Sequence, residues 1–140
     1  MQPFVLGATP TEQLAITVRS FPPPAPGDAY QWLPCEVHVS AGGFTGGFEA
    51  SLLPVELRQL LQDLERLYRD LKGEAVFAAL EQQLEFTLTC SPLGHLRVAG
   101  VATSRVVSDG NALHFAFELD QTELHASINS LQRMLDACLL

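Results

Sequence analysis

The side chains best placed to do chemistry are four glutamates, Glu36, Glu49, Glu85 and Glu118, together with His38 and His114. Glu36 with His38, and His114 with Glu118, stand at even spacing, so each pair shares one face of a strand. Such pairs would hold a divalent cation if their strands lay side by side, because a metal site needs three or four converging ligands. On separate strands they are surface histidines. The candidate nucleophiles are Cys35, Cys90 and Cys138. All three fall on apolar faces, where burial suppresses the reactive thiolate, so inert core cysteines are expected. No C-x-x-C or H-E-x-x-H pattern occurs, and no G-x-S-x-G elbow activates a serine. Gly42 to Gly47 is glycine-rich, but no helix N-terminus follows to present aligned amides to a phosphate. No catalytic residue, metal site or cofactor is expected, and the chain reads as a non-enzyme.

The carboxylates then matter as a surface. The chain has 140 residues, 16 acidic and 8 basic, and a net charge of −8. Its pI of about 4.8 argues against nucleic acid, whose binders need cations to displace counterions from phosphates. It argues equally against an anionic membrane surface. No stretch approaches the roughly 20 apolar residues of a membrane span. The start, Met1-Gln2-Pro3-Phe4-Val5-Leu6-Gly7, does not read as a signal peptide, and three scattered cysteines do not form a disulfide framework. A cytoplasmic protein is expected.

The elements that must position these residues are legible from periodicity. Leu57, Leu60, Leu61, Leu64, Leu67, Tyr68 and Leu71 recur at three- and four-residue steps, which predicts a helix from Pro54 to Lys72 with a left-handed cap at Gly73. A second helix is predicted from Gln121 to Cys138, with Asp120 and Glu123 at capping-box spacing. Period-two alternation marks strands at 14–19, 33–40, 84–90 and 113–119, with further strands at 4–7, 44–50 and 95–105. Gly42-Gly43 signals a hairpin, Ser108 to Asn111 another reversal, and the prolines between Phe21 and Gly27 a stiff loop. One α+β domain spanning 1–140 follows: an antiparallel sheet of six to eight strands with two amphipathic helices packed on one face. Strands-then-helix occurs twice, without a residue-level repeat.

The first helix is neutral and holds four of the eight basic residues, so the rest of the chain carries the whole excess of acid. The alternation sends Glu36, Glu49, Glu85 and Glu118 to the sheet face away from the helices, with Arg19 and Arg97 as the cations sharing it. An acidic open face suits a cationic protein, whose approach its field would speed. The same charges would also keep an uncovered sheet soluble. Tyr30 and Trp32 could anchor a partner or cap the core edge, and an uncovered sheet edge or helix face could form a homodimer.

Several segments together resemble one family. They are Asp28-x-x-x-Trp32-Leu33 before Glu36-Val37-His38-Val39-Ser40, the glycine-rich hairpin, and Leu52-Leu53-Pro54-Val55-Glu56-Leu57 leading into the leucine-striped helix. Leu84-Glu85-Phe86-Thr87-Leu88 and Phe115-Ala116-Phe117-Glu118-Leu119 then precede the closing helix. The pattern resembles the WapI-like bacterial immunity proteins from Phe4 to Leu135. The resemblance implies a small cytoplasmic protein that neutralises a toxin delivered between competing bacteria by binding it. In the example that names the family the toxin acts on tRNA, and a nuclease domain is cationic where it meets RNA. No binding residues are carried over from the family. Glu36, Glu49, Glu85 and Glu118 are the candidate partner contacts on charge and face alone. The other reading is a small-ligand or metal-binding protein using the histidines and their neighbouring glutamates.

Overall fold

The alternating segments form eight strands because each has one apolar face to bury, and the two leucine-rich stripes form helices that bury theirs against the same core. The computed structural model describes residues 2–23, 26–27, 30–106 and 109–138. Its elements run β1 (Phe4–Thr9), β2 (Glu12–Val18), β3 (Leu33–Ala41), β4 (Phe44–Leu52), α1 (Pro54–Asp70), β5 (Gly73–Ala78), β6 (Leu84–Cys90), β7 (Leu96–Thr103), β8 (Ala112–Leu119) and α2 (Gln121–Cys138). The fold is α+β with two helices, and the eight strands divide into two four-stranded antiparallel sheets, β1-β2-β3-β4 and β5-β6-β7-β8. The double strands-then-helix order is therefore a real architectural repeat.

The two inner faces share one hydrophobic core that runs from Phe4 through the leucines of α1 to Leu135. β8 touches β1, β2 and β3, so it runs across the first sheet. The helices are exchanged between the halves. α1, which follows the first sheet, packs on β5, and α2, which follows the second, packs on β1. The helices also touch each other, so both close the same side of the core.

Side chains from the far half finish the exposed backbone of these opening strands. The Val5 amide donates to Ser130 Oγ of α2 at 3.1 Å, and the Ser130 hydroxyl donates to the Ser127 carbonyl at 2.8 Å. Arg66 Nη2 of α1 donates to the Glu74 carbonyl of β5 at 2.8 Å. The buried Gln83 amide links the sheets by donating to the carbonyls of Glu49 on β4, at 3.1 Å, and Thr103 on β7, at 3.3 Å. Glu56, in the first turn of α1, accepts from the Leu53 amide at 2.8 Å and from the Leu80 amide in the β5–β6 loop at 2.7 Å. One carboxylate thus caps a helix and holds the next loop.

The turns show where the sequence patterns hold. Ala41 pairs with Phe44, leaving Gly42 and Gly43 as a two-residue hairpin loop with φ of 59° and 88°, which any side chain would strain. α2 begins and ends where its periodicity places it, and Asp120 Oδ1 accepts from the Glu123 amide at 2.8 Å. α1 stops at Asp70, and its left-handed cap is Leu71, at φ 52°, rather than Gly73. Gly73 instead opens β5 with its own positive φ of 89°. Tyr68 and Leu71 stay exposed at the edge of the stripe. The described part of the proline loop forms no strand, while Pro24, Ala25, Asp28, Ala29, Val107 and Ser108 lie outside the described residues.

Gly100 is set between Phe86 on β6 and Phe115 on β8, pointing to the core. A Cβ there would overlap the Glu85 carbonyl oxygen and come within 2.6 Å of Phe86 Cβ and 2.8 Å of Phe86 Cα. The strands approach more closely than any side chain permits, which is the usual reason for a glycine inside a strand. Gly100→Ala is expected to lower the unfolding free energy by about 1–3 kcal/mol, the ordinary cost of overpacking. Glu56→Ala, which leaves two amides without their carboxylate, is expected to cost about 1–3 kcal/mol. Urea denaturation of each variant checks both values; an unchanged midpoint for either would show that the contact does not support the fold.

Candidate protein-docking faces

Because the inner faces are spent on the core, only the outer faces present side chains in ordered rows. On the first sheet, Thr17, Glu36 and Glu49 form one row across β2, β3 and β4. Arg19, just past β2, is held by its own amide donating to the Pro34 carbonyl at 2.8 Å. Its guanidinium forks over the row, with Nη2 2.6 Å from Glu36 Oε2 and Nη1 2.8 Å from Glu49 Oε1. The hydrogen bond to Glu36, then the charges of Glu36 and Glu49, raise the arginine above its ordinary value. The fork relieves what would otherwise be two like charges directly opposite each other.

On the second sheet, one outer row runs Glu74, Thr89, Arg97 and Glu118, the next Val76, Thr87, Ala99 and Ala116, and a third Ala78, Glu85, Val101 and His114. Glu85 and Glu118 are exposed, and among the described residues no cation is ion-paired with either. Between the second and third rows lies a trough of about 460 Å³, lined by Val76, Glu85, Thr87, Ala99, Val101 and His114. It passes over Gly100, where β6 and β7 lie too close for a side chain.

The four candidate glutamates are therefore all on outward faces, but the structure sorts them in pairs. Glu36 and Glu49 are direct cross-strand neighbours under one arginine, while Glu85 and Glu118 sit two rows apart on the other sheet. The two histidines are separated in the same way. His38 lies between Ala15 and Gly47 on the first sheet and His114 beside Val101 on the second. Among the described residues no three of His, Cys, Asp and Glu converge as a metal site would require.

The cysteines do not present a nucleophile. Cys35 is buried, its Sγ donates to the Leu33 carbonyl at 3.3 Å, and burial pushes its thiol up to about 12. Cys90 is buried, and desolvation also raises the half-buried Cys138. Tyr30 and Trp32 pack edge to face at 5.8 Å, with Tyr30 exposed and Trp32 half-buried at the start of β3. A second hollow, of about 210 Å³, lies between the β3–β4 hairpin and the β7–β8 end, beside the exposed Phe44. The trough was not legible in the sequence, although a lone glycine within the 95–105 strand is the signal that marks a close backbone approach.

Residues 6–139 match the Immunity protein WapI-like family. This chain belongs to that family. None of the curated proteins matches it. Among solved structures, a chain of the Trypanosoma bruciei MRP1/MRP2 crystal structures aligns with a TM-score of 0.52 and 14% identity, covering 89% of this chain and 74% of that one. At that identity the likeness is one of fold. For this WapI-like immunity protein, family membership implies a protein toxin as partner in general terms. No helix is long and apolar enough to cross a membrane among the described residues.

The thiol shifts carry a pH dependence. The folded chain holds the Cys35 proton more tightly than the unfolded chain does, so this contribution to stability is complete below the unfolded value of 9.0 and is lost as pH rises toward about 12. Burial and the raised thiol both keep Cys35 from forming the reactive thiolate at pH 8, so iodoacetamide should alkylate native Cys138 well before Cys35. Mass spectrometry of the alkylated protein, native and in urea, checks the order. Rapid native labelling of Cys35 would show that it is not sealed in the core.

Proposed function

We propose that this chain neutralises a bacterial toxin by binding it as a protein partner, without catalysing a reaction of its own. The toxin we infer is a cationic, nuclease-type domain, and the binding takes place in the cytoplasm. The match to the immunity family across residues 6–139 carries the reading. The charge supports it: the net charge is −8, residues 54–72 are neutral, and outward sheet faces bear Glu36, Glu49, Glu85 and Glu118. Carboxylates on an open face accelerate the approach of a cationic partner and make association fall with added salt. Speed matters for an immunity protein, because it must reach the toxin before the toxin reaches its target. The ligand- or metal-binding alternative draws no support from the histidines, which stand on different sheets.

The experiment is protection. With the nuclease-type toxin domains of the same genome expressed one at a time, cells producing the cognate domain should grow only when the chain is co-expressed, and the two purified proteins should elute together at one to one. Association should slow as salt is raised. Continued killing in the presence of soluble, folded chain would overturn the reading.

A further inference from the structure

The two outer faces are not equivalent to a cationic visitor. On the first sheet, Arg19 already occupies both carboxylates, so an incoming lysine or arginine would have to displace an internal guanidinium held at 2.6 and 2.8 Å. On the second sheet, Glu74, Glu85 and Glu118 share the face with one guanidinium, Arg97, and Glu85 and Glu118 have no ion-pair partner among the described residues. The second face also has relief. The trough of about 460 Å³ passes over Val76, Thr87, Ala99 and Val101, small or β-branched side chains that leave the backbone within reach. Val76 is 53% exposed and, with Ala99 and Val101, gives the trough an apolar floor.

We propose that the trough on the outer face of the second sheet is the docking surface for a cationic segment of the toxin. This rests on the immunity reading above and decides which of the two acidic faces serves it. Lysine and arginine side chains are suited to such a site, because their methylene stems cover apolar surface while their heads reach for a carboxylate. Stems lying on Val76, Ala99 and Val101 would carry a head to Glu85, which lines the trough, while Glu118, one row beyond and opposite Arg97, adds to the field that draws the segment in. Closing the trough removes water from these contacts, which strengthens each charge pair relative to one left on an open sheet. On the first face the Arg19 fork keeps Glu36 and Glu49 satisfied, and a partner gains little by competing for them.

The test compares matched variants against the cationic nuclease-type toxin domain found by the protection experiment above, by surface plasmon resonance at low and high salt and by growth protection. Glu85→Arg with Glu118→Arg should weaken binding roughly 100-fold or more, abolish protection and remove the salt dependence of association. Ala99→Trp, which fills the trough without changing charge, should weaken binding at both salt concentrations. Glu36→Gln with Glu49→Gln should change affinity less than about threefold. Glu85→Gln with Glu118→Gln, closest to the native shape, covers the case in which the reversal fails to fold, and should still weaken binding roughly tenfold. Losses from the first-sheet pair equal to or larger than those from the second-sheet pairs would overturn the assignment while leaving the immunity reading intact. Full binding by the folded second-sheet and Ala99→Trp variants would do the same. A wild-type chain that neither binds nor protects overturns the immunity reading itself, and the docking surface with it.

Discussion

Each four-stranded sheet has one apolar face, and neither face can be left in water. The chain has two helices with which to solve this, and they are too few to cover two sheets separately. The inner faces are therefore turned on each other, with β8 crossing β1, β2 and β3, and the helices close the remaining side. Exchange of the helices makes the solution cooperative, since α1 completes the half that follows it and α2 the half that precedes it. The polar groups at the seams reinforce it. Ser130 serves Val5, Arg66 serves Glu74 and Gln83 serves Glu49, each across the boundary between halves, and Gln83 also serves Thr103 within the second. A buried backbone group left without such a partner costs about 1–3 kcal/mol, and among the described residues no buried side-chain nitrogen or oxygen lacks one.

This closure determines where recognition can occur. With both inner faces consumed, the outer rows, the uncovered edges and the outward sides of the helices are the surfaces left to meet a partner. A single side chain then separates two similar acidic faces. Arg19 binds Glu36 and Glu49 and settles their charge internally, whereas Glu85 lines a trough that passes Gly100, and Glu118 stands one row beyond it, opposite Arg97. The fold shared with the MRP1/MRP2 chain does not specify this arrangement, because function resides in the side chains placed on a scaffold.

Local periodicity was enough to locate most of the elements. The leucine stripe and the Asp120 cap place α1 and α2 closely, since a helix face and its first turn depend on neighbours in sequence. β5 was not anticipated. Its segment, Gly73-Glu74-Ala75-Val76-Phe77-Ala78, alternates weakly in small residues, and only docking against α1 and β6 makes Ala75 and Phe77 interior. The cap at Leu71 instead of Gly73 has the same origin. The glycine is needed for the turn into β5, so the helix ends two residues earlier on a residue that bears the strain.

For the candidate contacts, the sequence by itself determined the chemistry and the facing. Alternation is a property of each strand alone, so Glu36, Glu49, Glu85 and Glu118 had to point outward once their neighbours pointed in. The same locality determined the charge excess, the absence of an activated thiol and the two amphipathic helices. Only the tertiary structure decided how the strands split into two sheets, and so which glutamates meet. Cross-strand register puts Glu36 opposite Glu49 and brings Arg19 over both, while the sheet boundary keeps Glu85 and Glu118 away from that arginine. Pairing between strands is made across long stretches of chain, and no spacing within a strand records it.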